Sequence, residues 1–460
     1  MEPDWVRGEI AVIGLARSGR AAAQLLARAG SDVYASDAGT SPELEQSADA
    51  LRAEGVSVQL GRHDLARIGK ASLIVASPGV PPNAPPIAAA REAGIPIVSE
   101  IEIGLRFMPE LQYIAITGTN GKTTTTALTG HLLTAIGRRA ATAGNIGTPL
   151  TELAQSSTPP EWIALEVSSF QLHDTPSIRP LVGMLTNLSA NHLDRYDSVA
   201  EYYGDKAQLF RNASEHSVWV SNADDPAVQQ MVAPVRGRQL RFTVGAGAAD
   251  GYFDRSRNEL VVLGRPLISR SELTLLGDHN VANALGAALA VMGADETHAL
   301  PEARARMAQA LRAFRALEHR IEPAGCYDGV EWINDSKSTN VASTLVALKG
   351  MHRPTVLLLG GRHKGEPYDA LSAELKRTVK LVIAYGEAAP IVAQDLAGAT
   401  AVERVDGSFE DVIARARAAA AAGDAVLLSP ACSSYDMFDN YEQRGRTFKR
   451  LAAGQGGTEG

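Results

Sequence analysis

Short apolar runs, each closed by glycine or a small polar residue, alternate along the chain with longer stretches whose apolar positions recur at helical spacing. Such runs predict buried parallel strands, and the helical recurrence predicts the helices that cross over between them. In the first part of the chain, residues 10–15, 32–36, 73–76 and 95–98 predict strands. Residues 18–29, stopped by Gly30, and residues 85–93 predict helices, which together make a small doubly wound sheet. A second unit opens with a strand at 113–116 and a helix whose Leu128, Leu132, Ala135 and Ile136 form one stripe. Strands follow at 162–167, 181–185 and 218–221, and a helix at 279–292 gathers Val281, Ala284, Leu285, Ala288 and Leu289 on one face. After Arg320, strands at 331–333, 355–359, 381–384 and 425–428 predict a third sheet. The expected fold is α/β in three domains, 1–103, 104–317 and 318–460, with 454–460 as a loose tail.

Composition narrows the class. A chain of 460 residues is too long for one ordinary core, and 45% apolar with 21% charged residues is globular rather than disordered. A net charge of -8 argues against gripping nucleic-acid phosphates as the main activity. Positive charge for anionic ligands then has to be concentrated locally, so lysines and arginines in glycine-rich loops carry information. The first residues lack a basic segment followed by an uninterrupted apolar stretch, and no run reaches the roughly 18 apolar residues that span a bilayer. No membrane insertion and a cytoplasmic location are therefore expected. Cys326 and Cys432 are too few and too far apart for a disulfide framework or a zinc site, and read as two buried reduced thiols.

Between the strand at 113–116 and its helix lies Gly118-Thr119-Asn120-Gly121-Lys122-Thr123-Thr124. Glycines let backbone N–H groups turn inward, and the helix N-terminus adds about half a positive charge, so this context binds phosphate. Lys122 can face the β- and γ-phosphates of a nucleotide, and the Thr123 hydroxyl can meet Mg²⁺. The loop is shorter than a Walker A loop, since Ile116 stands where the first glycine belongs. Glu166 closes a neighbouring strand, well placed to hold a nucleotide metal, while His192 beyond the next strand reads either as a ligand or as a structural hydrogen-bonder. A nucleotide loop alone does not separate a ligase from a GTPase, a kinase or a nucleotide-switched regulatory protein. Gly14 and Gly19, with Asp37 about 20 residues on, also admit an NAD(P)-dependent oxidoreductase, but Ala16 stands where that fingerprint wants glycine.

The succession of motifs goes further. GTNGKTTT, GNIG at 144–147, LEVSSFQL at 165–172, NHLDRY at 191–196 and GDHNVANALGA from 277 are followed by HRIE from 319, NDSKSTN from 334, GGRHKG from 360 and SPACSSYDMFDNYEQRG from 429. In this order they resemble the Mur ligases of peptidoglycan synthesis. The central segments are shared with folylpolyglutamate synthases, whereas NDSKSTN and SPACSSYDMF resemble the family members that add glutamate. The resemblance implies an N-terminal Rossmann-like UDP-binding domain, a central P-loop ATPase domain with a mostly parallel sheet, and a C-terminal Rossmann-like domain. It implies a monomer that uses ATP and Mg²⁺ to add D-glutamate to UDP-N-acetylmuramoyl-L-alanine through an acyl phosphate, giving ADP and phosphate. A related ligase with another amino acid, including L-glutamate, is the alternative.

The resemblance also assigns residues. Lys122 stabilises the transferring phosphoryl group, Thr123 and Glu166 hold one Mg²⁺, and His192 and a CO2-derived carbamate on Lys206 hold a second. Local sequence gives no sign of that carbamate, because Lys206 in AEYYGDKAQLF reads as an exposed helical lysine. Gly118, Thr119, Asn120, Gly121 and Thr124 complete the nucleotide loop, and Asn280, Asn283, Arg320 and Asp335 are expected around adenine, phosphate and ribose. Gly14, Leu15, Ser18, Gly19, Asp37, Ser77 and Gly79 are expected to wall the uridine diphosphate, and Asn145 to meet the muramoyl group. Ala38 and Gly39 stand where some family members have side chains that contact uracil. Thr339, Lys364, Ser434, Tyr435 and Tyr441 are expected to receive glutamate, with Tyr441 where many members have phenylalanine.

Overall fold

The structure is a computed structural model that describes residues 8–191 and 196–454. Strands and helices alternate, and the strands form three sheets. The first contains β1 (Glu9–Ile13), β2 (Asp32–Asp37), β3 (Ser57–Leu60), β4 (Leu73–Ala76) and β5 (Ile97–Ser99). All its pairs are parallel, in the order β3-β2-β1-β4-β5. Ile10 to Ile13 are wholly buried because helices cover both faces of the central strand, so no polar alternation survives there. The winding reverses between β1 and β4, so the turns after these strands open onto one crevice, the usual ligand position in such sheets.

The second sheet contains β6 (Gln112–Thr117), β7 (Ala140–Gly144), β8 (Trp162–Glu166), β9 (Val182–Leu185), β10 (Val218–Asn222), β11 (Arg238–Thr243), β12 (Gly251–Asp254), β13 (Glu259–Val262) and β14 (Arg265–Ser269). Its order is β14-β13-β12-β11-β10-β9-β6-β8-β7, parallel except for the pairs β12–β13 and β13–β14. The third contains β15 (Glu322–Tyr327), β16 (Val330–Asn334), β17 (Thr355–Gly360), β18 (Val379–Tyr385), β19 (Val402–Val405) and β20 (Ala425–Leu428). Its order is β15-β16-β20-β17-β18-β19, and only β15–β16 is antiparallel. By contacts the chain forms two compact units. Residues 1–270 with 282–311 hold the first two sheets, and residues 271–281 with 312–460 hold the third.

The strands expected from apolar runs recur with slightly shifted ends, whereas β3, β7, β11 to β15 and β19 escape the pattern. Several of these hold no buried residue, as β3, β15 and β19 do not, and so offer no continuous apolar run. Cys326 in β15 is exposed, against the buried thiol expected, because it lies on this edge strand, whereas Cys432 is buried. Helix starts follow ordinary capping chemistry. Ser168 and Gln171 form a capping box on the helix Ser169–His173, which turns the chain sharply after Glu166. Among the described residues, no helix is long and apolar enough to cross a membrane.

Candidate active site

The phosphate loop lies where β6 meets the helix Lys122–Ala135. Gly118 and Gly121 have φ of 143° and 80°, backbone that side chains disfavour, and a Cβ on Gly118 would meet Thr186 Oγ1 at 2.0 Å. The segment after β9 laces this loop in place. Asn187 O accepts from Thr119 N at 2.9 Å, Asn187 Oδ1 accepts from Asn120 N at 2.8 Å, and the Thr186 hydroxyl donates to Asn120 O at 2.7 Å. Ser189 N donates to Thr119 Oγ1 at 3.0 Å. Thr186 and Asn187 were not singled out in the sequence, although their place at the end of the strand beside β6 is the signal that could have found them.

Lys122 Nζ donates to the Gly118 and Thr119 carbonyls, both at 3.0 Å. Lys206 is buried, against the exposed position that its local sequence predicts. The helix Val199–Ala207 packs its Tyr202 and Lys206 inward, and Lys206 Nζ reaches back to Gly118 O at 2.8 Å. The ammonium also stands 4.6 Å from the centre of the Tyr202 ring, whose hydroxyl reaches Thr119 Oγ1 at 3.3 Å. Burial, and then the Lys122 cation, push the Lys206 amine well below the ordinary lysine range, against pulls from Glu166 and Asp205. Asp205 pins the same helix from the other side, accepting from the Tyr196 hydroxyl at 2.8 Å and lying 2.7 Å from His173 Nδ1. No local sequence signal marks Tyr196 or Asp205 as a support.

Glu166 ends β8 directly beside β6, in register with Ile116. Its Oε1 accepts from Asn145 Nδ2 at 2.9 Å, and its backbone oxygen accepts from Asn145 N at 3.0 Å. A Cβ on Gly144 would lie 2.1 Å from that oxygen, so only glycine permits this closure. Glu166 Oε2 is buried and has no hydrogen-bond partner among the described residues. An orphaned carboxylate oxygen beside a phosphate loop, with the buried Thr123 at the helix start, offers the hard oxygen donors that Mg²⁺ takes. His192 lies outside the described residues. Among those described, no group of three His, Cys, Asp or Glu could hold a metal by itself. Asn283, on the helix Asp278–Ala294, accepts from Thr125 Oγ1 at 3.1 Å, and a Cβ on Gly121 would meet its Oδ1 at 2.6 Å. Asn280, three residues earlier on that helix, is also buried and donates to Leu276 O at 2.8 Å.

The crevice of the first sheet is a cleft of 780 Å³ lined by Gly14, Ser18, Asp37, Ser77, Gly79 and Asn145, all expected there. That volume suits a large organic ligand. Two expected wall residues do not line it. Leu15 is buried and spends its N–H on Asp37 Oδ2 at 2.7 Å, and Gly19 packs behind the turn. A Cβ on Gly19 would meet Gly14 O at 1.8 Å and Ser77 Oγ at 2.5 Å. Asp37 Oδ1 accepts from Gly39 N at 2.8 Å, so this carboxylate braces the wall. Arg17, from the glycine turn itself, also lines the cleft, as do Arg62 and His63, which no sequence signal marks. Arg17 Nη1 donates to Gly147 O at 3.1 Å, joining the glycine turn of the first sheet to GNIG.

In the second unit, NDSKSTN, GGRHKG and SPACSS leave three adjacent strands, β16, β17 and β20, at the same end. Arg362 N donates to Ser433 O at 2.9 Å, Val341 N to Glu366 Oε2 at 3.0 Å, and Ser336 Oγ to Tyr441 O at 2.8 Å. The segments that carry Thr339, Lys364, Ser434, Tyr435 and Tyr441 are thereby tied together. Ser434 is buried, Thr339 and Tyr441 are half-buried, and Lys364 and Tyr435 are exposed. Asp335 is buried and accepts from Ser338 Oγ at 2.6 Å, Ser429 Oγ at 2.7 Å and Ile321 N at 3.2 Å. Burial pushes its carboxyl up to about 6, against these hydroxyls and Arg320. Arg320 sits between His319 and Ile321, whose φ of 65° and 43° store strain at this segment.

Three family models match in succession: the Mur ligase MurD-like N-terminal domain at residues 8–99, the Mur ligase middle domain at 116–291 and the Mur ligase glutamate ligase domain at 319–432. The chain is 39% identical to the UDP-N-acetylmuramoylalanine--D-glutamate ligase of Salinibacter ruber, over 98% of this chain and 99% of that protein. It is 40% identical to the protein of the same name from Anaeromyxobacter dehalogenans, again over 98% and 99%. MurF from Acinetobacter baumannii superposes with a TM-score of 0.63 at 14% identity, over 96% of this chain and 93% of that one, a likeness of fold. A phosphate loop braced by two lysines, three successive domain matches and full-length relatives lead to one assignment: the chain belongs to the Mur ligase family.

Proposed function

We propose that this protein joins D-glutamate to UDP-N-acetylmuramoyl-L-alanine, with ATP as the energy source, in peptidoglycan precursor synthesis. The observation that carries the ATP half is the convergence of Lys122 and Lys206 on the loop carbonyl of Gly118. The amino-acid half rests on relatives that are named D-glutamate ligases and on the glutamate ligase domain match. The domains are taken as residues 1–103 for UDP, 104–317 for ATP and 318–460 for glutamate. The protein is taken to act as a monomer in the cytoplasm.

The 780 Å³ cleft would seat the uridine diphosphate with its phosphates toward the N-terminus of the helix Arg17–Arg28. Asn145, on the same cleft wall and bonded to Glu166, links the muramoyl end to the metal side. A carboxylate oxygen of the substrate attacks the γ-phosphorus of ATP, giving an acyl phosphate and ADP. The amine of D-glutamate then attacks the acyl carbon, and phosphate leaves. Both steps gather negative charge, so positioning and neutralisation supply most of the acceleration. Bound Mg²⁺ would screen the phosphates and polarise the transferring group.

Thr123 and Glu166 are assigned to one ion, and His192 with Lys206 to a second. Lys206 fits this role only after its charge is inverted. Its neutral amine adds CO2, forming an N–C bond and releasing one proton, which replaces a cation with a carboxylate. The depressed basicity of the buried amine supports that step, since only the unprotonated form attacks CO2. Asn280, Asn283, Arg320 and Asp335 are assigned to nucleotide contacts. Phosphate release measured with ATP, UDP-N-acetylmuramoyl-L-alanine and a panel of amino acids tests the whole reading. Release should require D-glutamate, and release with L-glutamate, L-alanine or a diamino acid instead would overturn it.

A further inference from the structure

Arg444, the arginine of the segment SPACSSYDMFDNYEQRG, has no exposed surface, and the sequence assigns it no role of its own. It starts from the helix Tyr441–Ala452 and points into the junction of the segments after β16, β17 and β20. Its Nε donates to Ser336 Oγ at 3.0 Å and its Nη2 to Ser336 O at 2.9 Å, both in NDSKSTN. Nη2 also donates to Cys432 O at 3.1 Å, and Nη1 to Ser433 O at 3.4 Å, both in SPACSS. A Cβ on Gly361 would stand 3.1 Å from Nη1, so GGRHKG closes over the same group. One guanidinium therefore touches all three segments assigned to the incoming amino acid.

Every acceptor it uses is a neutral carbonyl or hydroxyl. Among the described residues, no carboxylate lies within ion-pair distance of it. Burying a cation without an anion is unfavourable, and arginine keeps its charge inside proteins. A carboxylate already stands in this neighbourhood: Asp436, whose Oδ1 is buried without a hydrogen-bond partner among the described residues, acts on the same Tyr385 and Cys432 side chains as Arg444. What Arg444 alone supplies is a planar fork of donors that ties remote segments to one another.

We propose that Arg444 is a positioning residue for an incoming dicarboxylate amino acid: it fixes the three receiving segments in one geometry. The inference rests on the glutamate reading above and adds a residue to it. The substrate itself is received by Ser434, Lys364 and neighbouring backbone, and Arg444 acts through them.

The test is steady-state kinetics of the full-length enzyme, with KM for D-glutamate, for ATP and for UDP-N-acetylmuramoyl-L-alanine measured separately in wild type, Arg444→Met and Arg444→Lys. Arg444→Met should raise the D-glutamate KM by about 10-fold or more while the other two stay within about 2-fold, since only one ligand is received by the segments that Arg444 ties. Arg444→Lys can make some of these hydrogen bonds but not the fork, so its D-glutamate KM should lie between those of wild type and Arg444→Met. Should Arg444→Met fail to fold, the lysine variant alone decides. A KM for D-glutamate equal to wild type contradicts the inference, and a raised one with the other two unchanged supports it. A folded Arg444→Met enzyme with all three KM values unchanged, or all three raised together, leaves the glutamate reading standing and removes this inference. A wild-type enzyme that uses L-alanine and not glutamate removes both.

Discussion

Lys122 and Lys206 donate to one acceptor, the carbonyl oxygen of Gly118, at 3.0 and 2.8 Å. Burial, and then repulsion from the Lys122 cation, push the Lys206 amine well below the ordinary lysine range. Under the proposed function, that lowered basicity suits Lys206 to take up CO2.

Lys206→Ala should therefore lower ligase activity by about 10²-fold or more, as loss of a charge-stabilising group does. Formate or acetate added to the variant should restore part of it by standing in for the carbamate. Phosphate release with and without the added carboxylate is the measurement, and full activity without it would exclude the carbamate.

Glu166→Gln replaces the orphaned oxygen with an amide that cannot bind a cation as strongly. The Asn145 bond to Oε1 can persist, so the fold should survive. The Mg²⁺ concentration for half-maximal activity should rise by roughly 10- to 100-fold, read from a magnesium titration at saturating ATP. An unchanged titration would place the metal elsewhere.

Gly19→Ala puts a methyl group into Gly14 O and Ser77 Oγ, neither of which is the end of a long flexible side chain. The glycine turn has to move, and the cleft wall moves with it. The KM for UDP-N-acetylmuramoyl-L-alanine should rise by about 10-fold or more while the KM for ATP holds. Equal changes in both would show a general loss of structure.

Asp335 governs a pH dependence of stability. Its folded carboxyl titrates at about 6 against an ordinary 3.8, so between these values the folded state keeps a proton that the unfolded chain has released. Stability from this group falls as pH rises through that window, with no penalty below 3.8 and the full penalty above about 6. Asp335→Asn removes the dependence. Relative to wild type, the variant should gain on the order of 1 kcal/mol or more between about pH 4 and pH 7. Urea unfolding at both pH values measures the difference, and a gap that does not change with pH would contradict the assignment.

The sequence announces what local spacing controls. The apolar runs at β1, β6, β8 and β20 and the loop from Gly118 to Thr123 are legible because buried parallel strands and phosphate turns have local signatures. Edge strands such as β3 and β19 are not, since half-buried residues carry no clear period. The interior position of Lys206 depends on a carbonyl 88 residues away, and nothing in AEYYGDKAQLF encodes it. Asn187 and Arg444 escape for the same reason. Each acts on a segment remote in sequence, Arg444 on one 108 residues earlier.

Activation of the substrate carboxylate by ATP as an acyl phosphate is the central step of the proposed function, and oxygen tracing tests it directly. UDP-N-acetylmuramoyl-L-alanine labelled with ¹⁸O in both oxygens of its terminal carboxylate is turned over with ATP and D-glutamate, and the phosphate is analysed by mass. One ¹⁸O is expected in each phosphate released and one retained in the new amide. Unlabelled phosphate would contradict it.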